Sequence, residues 1–215
     1  MTVQNIGPFY RTTSNTQLNE GFFARVLVLV EGDTEELALP VFLEHAGMNC
    51  DLLGVTPIGV HGKNQIPKYW RLFGKFGIPM IVVFDNDDDA TGAKRDSNVN
   101  LANCFGLRLD ELLGVRGSCA VLMSRHAPAT PVVVVTGDFE TALRNDFALW
   151  NGGVSRPYDE LDTEARFLIK PLAGQNKGQV ARHIARGLTL RYPEYQPSLI
   201  GLITAELAKL GLTGR

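Results

Sequence analysis

The sequence predicts an α/β fold, in which a parallel sheet is flanked by helices and followed by a helical C-terminal extension. Short apolar runs rich in β-branched residues alternate with segments of helical spacing through the first 90 residues, as in βαβ units. The tail from Pro197 to Leu212 instead has the apolar spacing of an amphipathic helix. Both patterns together predict one α/β core and a helical extension.

The first strand is predicted at Arg25–Val30, which is apolar on both faces and therefore typical of a central parallel strand. Asp33 or Thr34 is expected to cap the helix that follows, because acidic residues occupy its first turn. The next elements along the chain are predicted as a strand at 53–60, a helix at 66–76 and a strand at 79–84.

The second half of the chain continues with a helix around 99–113, strands at 118–124 and 131–136, and helices at 140–149, 163–171 and 175–190. Residues 1–24 have little periodic signal and are interpreted as a linker or N-terminal arm. Residues 25–150 are predicted to form the core, and residues 151–215 the helical extension.

The composition excludes several classes of protein. A net charge of −2 gives no overall basic signature, so nucleic-acid binding would require a local basic patch. Three cysteines without CxxC spacing indicate neither a disulfide framework nor a zinc site. The polar N-terminus and the lack of a long apolar stretch predict a cytoplasmic protein that does not span a membrane.

Acidic residues follow two of the predicted strands at the point where each strand ends. Glu31 comes directly after the first strand and Asp85 after the third, and ligands of open α/β sheets gather at the carboxyl ends of strands. Glu35 can approach Glu31 across the turn, and Asp87 would point to the same side as Asp85 in an extended segment. Because clustered carboxylates repel one another, the pattern predicts a divalent cation such as Mg²⁺.

Asp88 and Asp89 are not assigned to the metal site, and the chain lacks two common ion- and phosphate-binding motifs. Asp88 and Asp89 are interpreted as a solvated loop. An EF-hand loop starting at Asp85 would need Gly at its sixth position and Glu at its twelfth, but the chain has Ala90 and Asp96 there. A P-loop GxxxxGK[ST] is absent from the sequence, so phosphate binding of that kind is excluded.

The segments VLVEGDTE at 28–35 and VFDND at 83–87 together resemble a TOPRIM domain, the metal-binding module of topoisomerases, primases and several nucleases. The VEG-x-TE form of the first segment, Gly62-Lys63-Asn64 and Ile78-Pro79 most resemble the OLD (overcoming lysogenization defect) nucleases. The resemblance covers about residues 25–90 and implies a TOPRIM-like parallel sheet.

The resemblance also implies how two Mg²⁺ or Mn²⁺ ions would be bound. Glu35, Asp85 and Asp87 would serve one ion. Glu31, Asp138 and Glu140, with Asp85 shared, would serve the other. Asp138 and Glu140 also follow an apolar strand, but from the residues alone Asp138 can equally be a helix N-cap.

The implied function is a metal-dependent DNA endonuclease, in which a metal-activated water attacks the phosphate. Glu31, Asp85 and Lys177 would be catalytic, with Lys177 stabilising the transition state. Lys170, Lys177, Arg182 and Arg186 form the candidate DNA-binding surface. OLD nucleases generally join an ATPase to the TOPRIM module, so an ATPase domain is a possible partner. Primase-like nucleotidyl transfer and a non-catalytic DNA-binding or assembly module are the alternatives.

Overall fold

A computed structural model of the chain describes residues 16–87, 91–169 and 177–214. Its five strands are β1 Val26–Val30, β2 Val55–Gly59, β3 Met80–Asp85, β4 Cys119–Met123 and β5 Pro131–Val135. Its α-helices within the described residues are α1 Thr16–Gly21, α2 Asp33–His45, α3 Cys50–Leu53, α4 Ile66–Gly74, α5 Ala93–Phe105, α6 Leu109–Leu113, α7 Phe139–Trp150, α8 Arg156–Ile169, α9 Lys177–Arg191 and α10 Ser198–Lys209. The predicted α/β class is confirmed.

The strands form one sheet in the order β2-β1-β3-β5-β4. β2, β1, β3 and β5 are parallel, whereas β4 pairs antiparallel with β5 at the edge. Every residue of β1 and of β5 is buried, as expected for strands with helices on both faces. The carboxyl ends of β1, β3 and β5 therefore lie side by side at one edge.

Alternation along β1 divides the core into two layers. Val26, Val28 and Val30 pack with apolar residues of α2 and α7 to α10. Leu27 and Leu29 pack on the opposite face with residues of α4, α5 and α6. Since successive side chains of a strand point to opposite faces, each layer uses every second residue. The predicted helical extension thus completes one of the two layers.

Local differences from the predicted elements have physical causes. The N-cap of α2 is Gly32, so the prediction of Asp33 or Thr34 is wrong; the Glu35 carboxylate accepts a hydrogen bond from the Gly32 amide at 3.2 Å. The predicted helix at 99–113 is divided into α5 and α6 by Gly106, whose φ of 64° ends α5 in a left-handed cap. In the second half, α8 starts at Arg156, earlier than predicted.

Parts of the predicted organisation lie outside the described residues, namely residues 1–15 of the N-terminal arm and the end of the helix predicted at 163–171. Residues Thr16–Gly21 of that arm are helical, and Phe22 then packs against Phe73 of α4 with ring centroids 5.0 Å apart. Among the helices of the described chain, none has the length and apolar character needed to cross a membrane.

Candidate metal centre

The acidic residues at the carboxyl ends of β1 and β3 lie at the same edge of the sheet, Glu31 directly after β1 and Asp85 as the last residue of β3. β1 and β3 are neighbouring parallel strands, so Glu31 and Asp85 emerge side by side. Glu35 belongs to the first turn of α2 and points back toward the same turn through its bond to Gly32. The topology thus brings these three carboxylates together, as the sequence pattern predicted for neighbouring strands.

Burial and mutual repulsion perturb the ionisation of all three carboxylates. The side chain of Glu35 is 4% exposed, and burial together with the charges of Glu31 and Glu140 raises its pKa to about 8. Burial, and then the charges of Glu35 and Glu31, raise the pKa of Asp85 well above its ordinary value. Burial also raises the pKa of Glu31, against an opposing effect of Lys63. This part of the structure would be stabilised by a cation.

Two carboxylate oxygens at this edge are buried without a hydrogen-bond partner. They are Oε2 of Glu31 and Oδ1 of Asp85. The other oxygen of Asp85 accepts a hydrogen bond from the Phe139 amide at 3.2 Å. Buried polar atoms in proteins are nearly always satisfied, so two unsatisfied carboxylate oxygens beside each other call for an explanation.

Asp87 differs from the other acids because it is already paired. Its carboxylate accepts hydrogen bonds from Lys63 and, at 2.8 Å, from Lys94. Burial raises the pKa of Asp87, but the bonds from the two lysines outweigh that effect and the net pKa is lowered. Its backbone has a φ of 46°, so the expectation that an extended segment directs Asp85 and Asp87 to one side is wrong at this residue.

The second acidic pair lies beside the first cluster through the start of α7. Asp138 caps α7, since its carboxylate accepts a hydrogen bond from the Thr141 amide at 2.8 Å. Glu140 accepts a hydrogen bond from the hydroxyl of Thr34 at 3.3 Å, which links α7 to the first turn of α2. Glu140 therefore approaches the Glu35 side of the cluster, while Asp138 has the capping role that its sequence context allowed.

Lys177 lies on the same side of the molecule as the second acidic pair. It lines a cavity of about 820 Å³ together with Asp138, Glu140 and Lys94. The neighbouring Gly178 explains how α9 reaches this position: a Cβ atom there would lie 2.5 Å from the Asp33 carbonyl oxygen, so only glycine permits the contact with α2. The start of α9 thereby brings Lys177 to the cavity that Asp138 and Glu140 also line.

Arg182 and Arg186, which were also predicted to bind DNA, do not line the cavity of Lys177. Arg182 and Arg186 line a separate groove with Glu44 and His45 of α2. Lys170 lies outside the described residues. Among the described members of the predicted basic set, only Lys177 lines the cavity next to the acids.

Residues 22–87 match a family model described as the TOPRIM domain of overcoming lysogenization defect protein-like proteins. Residues 22–87 form an OLD-like TOPRIM domain. This match covers both acidic segments, from Glu31 to Asp87, and a TOPRIM domain of this kind belongs to a family of nucleotidyl-transfer and nuclease type. A search of curated protein sequences gave no significant match.

The similarity of this chain to solved structures extends beyond residues 22–87. The C-terminal region of the Xanthomonas campestris pv. campestris OLD protein aligns with a TM-score of 0.59 at 18% identity, over 88% of this chain and 96% of that one. The C-terminal region of the Burkholderia pseudomallei OLD protein aligns with a TM-score of 0.51 at 23% identity, over 83% of this chain and 97% of that one. These alignments cover most of the chain, so the fold shared with the OLD C-terminal regions includes helices beyond residue 150.

TOPRIM domains generally bind divalent metal ions, and the donors of this TOPRIM domain fit such an ion in their chemistry. The two unsatisfied oxygens of Glu31 and Asp85 are hard ligands, and burial raises the pKa of both carboxyls despite the opposing charge of Lys63. Within residues 16–87, 91–169 and 177–214, no group of three or more His, Cys, Asp or Glu side chains is arranged to hold an ion as it stands. The carboxylates would have to adjust their rotamers around a bound ion.

Sequence reasoning missed the residue that fixes this edge of the TOPRIM domain. Asn86 is fully buried; its side chain accepts a hydrogen bond from the Gly137 amide at 2.9 Å and donates one to the Leu112 carbonyl at 3.3 Å. The buried side chain of Asn98 donates to the Asn86 carbonyl. Asn86 thus ties the end of β3 to the segment after β5 and to α6. An asparagine between two aspartates gives no sequence signal that it is buried.

Proposed function

We propose that this protein is a metal-dependent DNA endonuclease that nicks and cleaves DNA by phosphodiester hydrolysis with two divalent ions, Mg²⁺ or Mn²⁺. The observation that carries the proposal is the pair of buried, unsatisfied oxygens of Glu31 and Asp85 beside Glu35, at the carboxyl edge of a TOPRIM sheet. Four or more clustered carboxylates destabilise a protein unless a cation is bound, so a scaffold would gain nothing from them.

The proposed ligand sets are those that the resemblance to OLD nucleases implies. Glu35, Asp85 and Asp87 would hold one ion. Glu31, Asp138 and Glu140, with Asp85 shared, would hold the other, and the contact between Glu140 and Thr34 supports placing these two sets next to each other. Bound ions would supply an activated water and stabilise the attacking and leaving oxygens.

The side chains of the protein have separate tasks in this proposal. Glu31 and Asp85 would be ionised when a cation is bound, because a nearby positive charge lowers a carboxyl pKa. Lys177 lines the cavity together with Asp138 and Glu140, and its ammonium group would stabilise charge on the phosphate there. The cavity, of about 820 Å³, is large enough to admit a nucleotide of the bound strand.

DNA is the proposed substrate, and its backbone would be held by basic residues of α9 and the preceding segment. Lys177 would contact the phosphate at the cavity, and Lys170, Arg182 and Arg186 would add sequence-independent contacts. Because Arg182 and Arg186 line a different groove from Lys177, they would contact DNA away from the reacting phosphate. We also propose an ATPase domain as a partner, by analogy with OLD proteins.

The test is cleavage of supercoiled plasmid DNA with Mg²⁺ or Mn²⁺ and with a chelator. We expect metal-dependent nicking by the wild type and a loss of at least about 100-fold in Asp85→Asn and Glu31→Gln, since each removes a charged ligand. Asp96→Asn, an exposed aspartate of α5, is the matched control and should cleave like the wild type.

Three outcomes would contradict the proposal. Equal nicking by the wild type and both site variants would show that the cleavage comes from elsewhere. Extension of a primer from nucleoside triphosphates on a template, without hydrolysis, would favour a primase-like enzyme. DNA binding with no metal-dependent chemistry would favour an assembly module.

A further inference from the structure

Lys63 is a buried cation in the middle of the acidic edge. Its side chain is 5% exposed, and its ammonium group donates hydrogen bonds to Asp87 and, at 3.1 Å, to Asn98. The same nitrogen lies 4.0 Å from the unsatisfied Oε2 of Glu31. Burying an ammonium group costs free energy unless its partners are well placed. The hydrogen bonds to Asp87 and Asn98 offset that cost for Lys63.

The backbone around Lys63 carries strain that serves this placement. In the part of the chain that the structure describes, the non-glycine residues with positive φ are His61, at 56°, and Asp87, at 46°. His61 lies two residues before Lys63, with its Nδ1 atom 3.1 Å from Oδ1 of Asp33, and Asp87 is the partner of Lys63. Such strain persists where the surrounding contacts over-determine it, commonly at functional sites.

The Lys63 ammonium lies where a cation bound by Asp87 would need to be. Lys63 and Asp87 line one open cleft of about 370 Å³ with Glu31 and Lys94. Lys94 contacts the same aspartate, but its side chain is 70% exposed and solvent screens its charge. The side chain of Lys63 is 5% exposed, so its charge is screened much less. A positive charge fixed about 4 Å from a divalent ion weakens its binding by more than tenfold even at the dielectric constant of water.

We propose that Lys63 is a resident counter-ion of the metal centre: in the metal-free protein it neutralises Asp87 and Glu31, and a divalent ion reaches Asp87 only by displacing it. Lys63 is therefore a positioning residue that keeps Asp87 in place and sets a weak affinity for the ion. This inference rests on the proposed metal centre, and it assigns to the chain a residue that opposes binding rather than a ligand.

The experiment is calorimetric titration of the full chain with Mn²⁺ in the absence of DNA. We expect Lys63→Met to bind Mn²⁺ at least about tenfold more tightly than the wild type, because the competing charge is gone while the methionine fills a similar volume. Lys63→Arg should stay within about threefold of the wild type. Lys94→Met is the matched control: it contacts the same carboxylate from solvent and should change the affinity less than about threefold.

Each outcome decides a different point. If the wild type binds Mn²⁺ and Lys63→Met binds it equally or more weakly, the counter-ion role is wrong and the proposed metal centre stands. If neither the wild type nor Lys63→Met binds Mn²⁺, the metal centre is wrong and the counter-ion role fails with it. Circular dichroism would first establish that each variant is folded.

A measurement on the wild type decides the matter if Lys63→Met does not fold. Acylation of lysines, followed by mass spectrometry of peptides, reports how accessible each ammonium group is. Displacement predicts that Lys63 is acylated several-fold faster in saturating Mn²⁺ than in a chelator, while Lys209 of α10 is unchanged. An equal rate at Lys63 in both conditions would overturn the proposal.

Discussion

Replacing Glu35 by glutamine should stabilise the metal-free protein at neutral pH. Burial is the largest cause of the raised pKa of Glu35, from 4.5 to about 8, followed among the raising effects by Glu31 and Glu140. The unfolded chain therefore ionises before the folded protein as the pH rises. Glutamine keeps the shape of the side chain and can still accept the hydrogen bond from the Gly32 amide.

The magnitude follows from the proton linkage. Glu35 does not affect stability below pH 4.5, lowers it progressively between pH 4.5 and about 8, and exerts its full penalty above that. At pH 7 the difference spans roughly 2.5 pH units at about 1.4 kcal/mol each, or about 3.5 kcal/mol. Since Glu35 is coupled to its neighbours, this penalty belongs to the acidic cluster as a whole.

The assay is urea unfolding of the wild type and Glu35→Gln in a chelator, at several pH values from 4.5 to 8.5. We expect the variant to be more stable at pH 8 by about 3.5 kcal/mol or more, and the two proteins to converge near pH 4.5. Glu44→Gln, an exposed glutamate of the same helix, should differ from the wild type by less than about 0.5 kcal/mol at every pH. A variant that is no more stable at pH 8, or a difference that does not depend on pH, would refute the reasoning.

Three further changes test other parts of the structure. Asn86→Ala should lower the free energy of unfolding by about 2 to 4 kcal/mol in urea, because it leaves the Gly137 amide and the Leu112 carbonyl unpaired in the interior. Asp146→Ala should cost a similar amount in thermal unfolding, since this buried carboxylate accepts hydrogen bonds from residues 118, 195 and 198 and so joins α7 to α10. Lys177→Ala should lower the rate of plasmid nicking about 10- to 100-fold with little change in stability, because its side chain is exposed.

The controls for these changes are exposed residues of the same type. Asn103→Ala and Asp51→Ala should each alter stability by less than about 0.5 kcal/mol, and Lys75→Ala should nick DNA like the wild type. Wild-type stability in Asn86→Ala or Asp146→Ala would mean that the lost hydrogen bonds are replaced by water. Wild-type nicking by Lys177→Ala would remove this residue from the proposed chemistry.

The sequence was sufficient for the elements that depend on local pattern. The apolar run of β1 predicted a central parallel strand, because a strand covered by helices on both faces is mostly apolar, and the apolar run at 79–84 predicted the third strand. The position of Glu31 and Asp85 directly after those strands then fixed their place at the carboxyl edge. The TOPRIM segments were recognisable for the same reason, since their residues are contiguous in the chain.

Tertiary structure decided the features that depend on distant segments. The strand order, the contact of α9 with α2 at Gly178 and the burial of Asn86 each join residues that are far apart in sequence. The sequence pattern also did not predict the left-handed backbone at Asp87 or the pairing of its carboxylate with Lys63 and Lys94, which come from other segments.

Lys63 shows most clearly the difference between what the sequence and what the tertiary structure determined. By itself the sequence placed a lysine in a loop after the second strand, where the ordinary expectation is a solvated side chain. Folding removed that ammonium group from water and set it between Glu31 and Asp87. Sequence therefore determined which acids meet at the sheet edge, because strand ends are local features. Only the tertiary structure decided which cation they meet, because burial is a property of the whole fold.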